Sequence, residues 1–376
     1  MTPACVTGVA MTPFAHHWET SLEQLGAEAL IGAMKDAGID RKDVGAVCVG
    51  HMSQGEMVGQ RILRELDFPP IAVVNVENAC ASGASAFREA WIAVAAGVVD
   101  VALVLGVEKM ARKGLLTTQH RTADQRMGQI IPGSYAISAR RHMAEHGSRP
   151  EQFAWISVKN HDNGVLNPFA MYRKPCTLEE VMQSRLIADP LTLLQCAAPA
   201  SGAAAAVVVS EAFARKRGGP APIRILWSDI AADMNRGVPE DNTIYQATRA
   251  AAERAYERSG VDPADIDVVE LHDAFTAAEL LHYEALGLCA RGEGGRLVEE
   301  RATALGGRIP VNPSGGLLSR GHPTGATGAA QIVELVWQLR GAAGERQVPG
   351  AKLALAQCQG GVGRGNGAAA VTLLAR

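Results

Sequence analysis

Apolar positions along this chain follow two alternating rhythms. Residues 20 to 37 repeat apolar side chains at helical spacing. After the polar connection Gly38-Ile39-Asp40-Arg41-Lys42-Asp43-Val44 comes the compact run Ala46-Val47-Cys48-Val49. A helix followed by a strand is predicted. The same succession returns far downstream: a helical pattern over 245 to 259, then Ser259-Gly260-Val261-Asp262-Pro263-Ala264-Asp265-Ile266, then the apolar Val268-Val269-Glu270-Leu271. A second echo links Cys80-Ala81-Ser82-Gly83-Ala84-Ser85-Ala86 with His322-Pro323-Thr324-Gly325-Ala326-Thr327-Gly328, each introducing a helix. Two similar halves follow. Helices alternating with apolar strands place each half in the α/β class, with mostly parallel sheets expected. Val101 to Leu105 and Ala204 to Val209 complete the first half, Lys352 to Ala356 and Ala368 to Leu374 the second.

Between 109 and 197 the rhythm loosens. Polar residues and Pro132, Pro150, Pro168 and Pro175 leave short helical stretches at 135 to 146 and 151 to 160. A segment this long that keeps Phe153, Trp155, Phe169 and Tyr172 reads as an ordered, inserted lid. The expected units are therefore 1–108 with 198–220, the insertion 109–197, and 221–376.

Composition narrows the function classes. The 376 residues are 47% hydrophobic, enough for a large core. Thirty-six basic against 39 acidic residues, without a basic run, give no footprint for nucleic acid or an anionic membrane. No stretch reaches membrane-spanning length and no secretory leader pattern opens the chain, so a cytoplasmic protein without membrane insertion is expected. The 7 cysteines are scattered and form no C-x-x-C pair, which argues against a disulfide framework or a structural zinc site.

Cys80 is the residue around which candidate chemistry gathers. It lies between Ile71-Ala72-Val73-Val74-Asn75-Val76, predicted as a strand buried on both faces, and a helix predicted from Ala84 to Ala96 and ended by Gly97. A thiol at a helix N-terminus faces unpaired N–H groups, and a lowered pKa is expected there. His322, fixed between Gly321 and Pro323, can accept a thiol proton. Cys358 follows a strand and is expected in a glycine-rich loop, where Gly360 can offer an N–H to an oxyanion. The run lacks the lysine and hydroxyl of a phosphate-binding loop. His272 ends an apolar strand, and its neighbour Asp273 is a candidate cap for the helix that begins after it.

Assembled, these stretches resemble the thiolase superfamily, and within it the sterol-carrier-protein-2 type. The resemblance spans essentially the whole chain. It is carried by Asn78-Ala79-Cys80-Ala81-Ser82-Gly83, Ser184-Arg185-Leu186-Ile187-Ala188-Asp189-Pro190-Leu191, His272-Asp273-Ala274-Phe275, Tyr283-Glu284-Ala285-Leu286-Gly287-Leu288-Cys289, and Asn312-Pro313-Ser314-Gly315-Gly316 running into Gly321-His322-Pro323. It implies a five-layered αβαβα fold of two similar halves with an inserted loop domain. It also implies reversible Claisen cleavage of 3-oxoacyl-CoA, with acyl-CoA and CoA as substrates and no further cofactor or metal.

By the same resemblance Cys80 carries the acyl group, and His322 activates Cys80 and helps bind the enolate oxygen of acetyl-CoA. Cys358 is the acid/base on that enolate, His272 joins the first oxyanion hole, and the N–H groups of Cys80 and Gly360 form the second. A homodimer or homotetramer is implied, with the strand before Cys80 near the interface. Three departures stand out: Ala274 where related enzymes often have cysteine, Ser201-Gly202-Ala203 without the family's aspartate, and a terminal glycine segment lengthened by Arg364 and Asn366. An alternative reading is a thiolase-like acyl-CoA binding subunit of a larger complex; such relatives tend to lose catalytic positions. A one-way condensing enzyme of the ketoacyl synthase kind would need no second thiol. Met110, Phe153, Trp155, Phe169 and Met171 are candidates for an acyl pocket or for lid core.

Overall fold

The computed structural model describes residues 2–110, 126, 128, 130–233, 241–361 and 367–376. Arg364 and Asn366 lie outside the described residues. The chain opens with strand β1 (Ala4–Met11) and helix α1 (Leu22–Ala37), which starts in a Ser21–Gln24 capping box and ends at Gly38 with φ of 66°. Strand β2 (Ala46–Gly50), helix α2 (Val58–Glu65), strand β3 (Ala72–Val76), helix α3 (Ser82–Ala95) and strand β4 (Val101–Glu108) follow.

The region predicted as a lid contains helices α4 (Ile131–His146), α5 (Pro150–Val165) and α6 (Leu178–Gln183) and the small hairpin β5 (Leu186–Ala188) with β6 (Leu191–Thr192). The chain then returns through β7 (Gly202–Ser210), α7 (Glu211–Arg217) and β8 (Ile223–Ala232). Next come α8 (Gln246–Ser259), β9 (Val268–Glu270), α9 (Thr276–Ala285), α10 (Gly294–Glu299), α11 (Gly316–Ser319) and α12 (Thr327–Arg340), before the closing strands β10 (Leu353–Gly360) and β11 (Ala368–Ala375). Among the described residues no helix is long and apolar enough to cross a membrane.

Strand order displays the internal duplication. One run is β3-β2-β4-β7-β1 and the other is β9-β10-β11-β8; they join edge to edge where Cys5 and Val6 of β1 pair with β8. In each run one parallel pair is followed by two antiparallel ones: β2 with β4, then β7, then β1; β9 with β10, then β11, then β8. The extra strand of the first run, β3, is parallel to β2, and its counterpart survives as the single parallel bridge from Val269 to Val311. The sheets are thus mixed rather than mostly parallel. An apolar run cannot reveal the direction of its neighbour, because a strand covered on both faces reads alike in either pairing.

The layers follow from which faces are apolar. Helices α1 and α2 cover one face of the first sheet through Leu25, Leu30 and Ile62 against Val47, Leu103 and Val207. Its other face meets α3 and α12, which also cover Ile225, Ala354 and Leu374 of the second sheet. The far side of that sheet, with Val269, Leu355 and Leu373, carries α8 and α9. This is a five-layered αβαβα arrangement. Strand β3 departs from its predicted double burial: it is an edge strand with Val74 46% exposed.

The central helices meet through glycine. A Cβ on Gly83 of α3 would stand 2.6 Å from the Gly325 carbonyl oxygen, and one on Gly328 of α12 would stand 2.4 Å from the Ala84 nitrogen. Gly106 of β4 likewise abuts Gly325, at 2.7 Å from its oxygen. These are backbone atoms that cannot swing aside. Gly328→Ala is therefore expected to cost about 1–3 kcal/mol or more, read as a lowered denaturation midpoint. An unchanged midpoint would mean that the helices do not cross at this distance.

Candidate active site

The Cys80 turn is built from local hydrogen bonds. After β3 the chain passes through Ala79, whose φ of 49° is in the left-handed region. That conformation is unfavourable for a residue with a Cβ and recurs where surrounding structure enforces it. The enforcing contacts are the Ser82 hydroxyl, which accepts from the Asn78 N–H at 2.9 Å and donates to the Ala79 carbonyl at 2.6 Å. The Asn78 side chain adds a bond to Ser85 Oγ at 3.0 Å. Cys80 is thereby held two residues ahead of α3.

His322 arrives from the other half. Its N–H donates to the Ala198 carbonyl at 2.7 Å, after Gly321 turns the chain with φ of 109°. Its Nδ1 lies 2.8 Å from Thr327 Oγ1, and that hydroxyl is 3.0 Å from the Pro323 carbonyl. Since a hydroxyl has one proton and Pro323 takes it, the oxygen accepts from Nδ1–H. Nε2 is left unprotonated, as a base requires.

His272 meets His322 edge to face, with ring centroids 5.1 Å apart. Donor atoms of Cys80, His272 and His322 all fall within 4.8 Å of one another. Cys358 Sγ donates to the Cys80 carbonyl at 3.2 Å and lies 3.6 Å from His272 Nδ1. Cys358 sits within β10, paired with Ala370, not in the loop expected for it. Gly360 closes the arrangement: a Cβ there would be 1.9 Å from the Asn78 carbonyl oxygen and 2.9 Å from the Ala81 nitrogen. All five sequence-predicted residues are brought together.

Burial governs the electrostatics. It pushes the Cys80 thiol up to about 12, with Glu108 and Glu77 adding to the effect, which overturns the expectation of a lowered pKa. Loss of solvent outweighs the helix terminus. Cys358 is likewise raised well above the ordinary thiol value. Burial lowers His272 to about 3 and His322 well below the usual imidazole value, the latter helped by His272 and Arg320. Near neutral pH the site holds two thiols and two neutral imidazoles. Thiolate and imidazolium arise as a pair when a proton crosses between them.

Several supports were not legible in the sequence. Glu108 accepts from the Met52 and Ser53 N–H groups at 2.8 and 3.2 Å and from the Gly325 N–H at 3.0 Å, tying the end of β4 to the His322 turn. A carboxylate closing an apolar strand was the available signal. Gln357 accepts from the His272 N–H at 3.0 Å and donates to Thr248. Fully buried Arg320 pairs with Glu270 at 3.0 Å. Asp273 does not cap α9, whose start has no side-chain cap. It accepts instead from the Leu317 and Leu318 N–H groups of α11 and from Asn160 of α5. Of the candidate pocket residues, Phe153 is core, Phe169 stacks on Trp337, Met171 packs on the central layer, and Trp155 is 44% exposed.

Residues 4–212 match the family model for the thiolase N-terminal domain, and residues 232–374 match the thiolase C-terminal domain-like model. The chain belongs to the thiolase family. It is 41% identical to acetyl-CoA acetyltransferase of Methanothermobacter thermautotrophicus, over 100% of both chains. It is also 41% identical to sterol carrier protein 2 of Bos taurus, over 98% of this chain and 71% of that one. The solved Ltp2-ChsH2(DUF35) aldolase superposes with a TM-score of 0.86 at 28% identity, over 100% of this thiolase and 98% of that chain. The activity of the class is acyl transfer, and the present chain is an acyltransferase.

The buried groups set a pH window for stability. For Cys80, raised from 9.0, stability is present below pH 9.0 and is lost as pH climbs toward 12. For His272, depressed from 6.5, stability is present above pH 6.5 and is lost as pH falls toward 3. Chemical denaturation across pH should therefore show Cys80→Ala losing less stability than the parent above pH 9.0, and His272→Asn losing less below 6.5. Parallel curves would show that these groups are not desolvated.

Proposed function

We propose that this thiolase carries out reversible, CoA-dependent Claisen cleavage and condensation of a 3-oxoacyl-CoA through an acyl-enzyme on Cys80. The observation that supports the reading most is the convergence of two thiols from opposite halves beside one unprotonated imidazole nitrogen.

In the cleavage direction Cys80 Sγ attacks the 3-oxo carbon as its proton passes to His322 Nε2. The alkoxide is then held by the N–H groups of Cys80 and Gly360. Its collapse breaks the carbon–carbon bond and leaves an acyl group on Cys80 and the enolate of acetyl-CoA, whose oxygen His272 and His322 stabilise. Cys358 gives its proton to the enolate carbon. Free CoA then loses its thiol proton to the Cys358 thiolate and attacks the thioester, and Cys80 recovers its proton from His322. Protons and charge balance over the cycle, with no cofactor or metal invoked. Both anions concentrate charge on a single oxygen, and loss of one donor to such an oxygen costs about 3 kcal/mol.

The reading includes a cytoplasmic homodimer or homotetramer, with the exposed edge of β3 as the meeting surface. A non-catalytic acyl-CoA binding subunit is the competing reading.

Incubation with acetyl-CoA is expected to leave an acetyl adduct on Cys80, visible by intact mass and absent in Cys80→Ala. Cys358→Ala should retain the adduct and slow exchange of the acetyl-CoA methyl protons about a hundredfold or more. No adduct on the parent protein would favour the binding subunit, and undiminished exchange in Cys358→Ala would assign the acid/base elsewhere.

A further inference from the structure

One thiol and two imidazoles converge in the site with no carboxylate among them. One donor atom from each of Cys80, His272 and His322 lies within 4.8 Å of the other two, and among the described residues no other three histidine, cysteine or carboxylate groups are so placed to hold one ion. Separations of 4.8 Å or less leave a point within about 2.8 Å of all three atoms (4.8 Å divided by √3), and zinc bonds of about 2.0–2.3 Å are reached from there by less than about 1 Å of side-chain movement.

The surroundings fit a ligated ion. Thr327 Oγ1 accepts from His322 Nδ1–H at 2.8 Å, which leaves Nε2 as the lone-pair nitrogen. An outer N–H held by an oxygen is what orients a metal-bound histidine. The His272 backbone is fixed by its N–H bond to Gln357 at 3.0 Å, and its neutral ring offers one lone pair in either tautomer. Cys80 is half-buried rather than sealed, as are Asn78 and Ala79, so the turn is reached from solvent. Cys358 is outside the group of three; its Sγ is engaged with the Cys80 carbonyl at 3.2 Å. Thiolate with imidazole suits zinc and its close neighbours, whereas magnesium and calcium take oxygen ligands.

We propose that Cys80, His272 and His322 form an inhibitory site for a divalent ion of the zinc class, with the fourth position open to water or an incoming thiolate. Binding breaks the Cys80 S–H bond, forms a sulfur–metal bond and releases the proton to solvent; nothing is oxidised. The ion takes no part in the cycle. It occupies the sulfur that attacks the substrate and the His322 nitrogen that receives the proton, so metal and acyl group exclude each other. That exclusion rests on the reading of Cys80 as acyl carrier; the donor set does not.

In thiol-free buffer the metal-free protein should take up one Zn2+ per chain from a chromogenic chelator and lose acyl transfer until a stronger chelator is added. Mg2+ should do neither. Co2+ should give a sulfur-to-metal band and the strong visible bands of a four-coordinate ion. Acetylation by acetyl-CoA, followed by removal of free CoA, should abolish the sulfur band in the parent protein, a reading that needs no variant to fold. Cys80→Ala should weaken uptake about a hundredfold or more and Thr327→Val about tenfold, since an outer partner of a ligating histidine is worth about 10–100-fold in affinity. Cys358→Ala should keep the ion. A cobalt spectrum without the sulfur band, uptake undiminished in Cys80→Ala, or uptake lost in Cys358→Ala would overturn the site, and an acetyl adduct on the metal-free protein would then leave the thiolase reading standing. An ion bound at Cys80 while acyl transfer runs at the full rate would overturn the inhibition.

Discussion

The structure depends on the approach of two glycine-bearing helices at its centre. Gly83 and Gly328 let α3 and α12 approach until backbone faces backbone, and Gly106 brings the first sheet to the same point. Each helix is preceded by a turn that carries a candidate catalytic side chain, Cys80 before α3 and His322 before α12. Bringing the helix starts together brings the thiol and the imidazole together. Side chains larger than hydrogen at the crossing would separate the pair, and catalysis tolerates little misplacement. Close packing of small residues and the chemistry of the site are one constraint.

A second consequence of that packing is burial: Cys358, His272 and His322 are buried and Cys80 is half-buried. Desolvation outweighs the helix terminus at Cys80, with Glu108 and Glu77 adding to it, and lowers His272, so the resting groups are neutral. A neutral resting site loses nothing to unpaired charge; in the proposed cycle its N–H donors act on negative charge only when it forms. The supports are polar and lie one layer out: Glu108 on the His322 turn, Gln357 on His272, and the Arg320–Glu270 pair beneath.

Much of this was legible before any coordinates. The repeated helix, left-handed glycine and short polar turn at Gly38 and Gly260 is a local pattern, and local patterns survive in sequence. The paired turns at Cys80 and His322 were legible for the same reason, and the structure brings the two side chains together. What failed was non-local. The direction of neighbouring strands, the exposure of β3 at a sheet edge and the α11 N–H groups that Asp273 accepts from all depend on partners more than forty residues away or on burial. The expected fall in the Cys80 pKa failed likewise, since a helix start is visible in sequence and the loss of solvent around it is not.

The proposed chemistry needs the cysteines of opposite halves side by side, and Cys358 Sγ lies 3.2 Å from the Cys80 carbonyl oxygen. The most direct measurement is treatment of the folded protein with a small reagent that fluoresces only when it bridges two thiols, followed by peptide mapping. A single product joining the Cys80 and Cys358 peptides, lost in Cys80→Ser and in Cys358→Ser, is expected. Separate single-arm adducts on the two cysteines, with no bridged peptide, would contradict it.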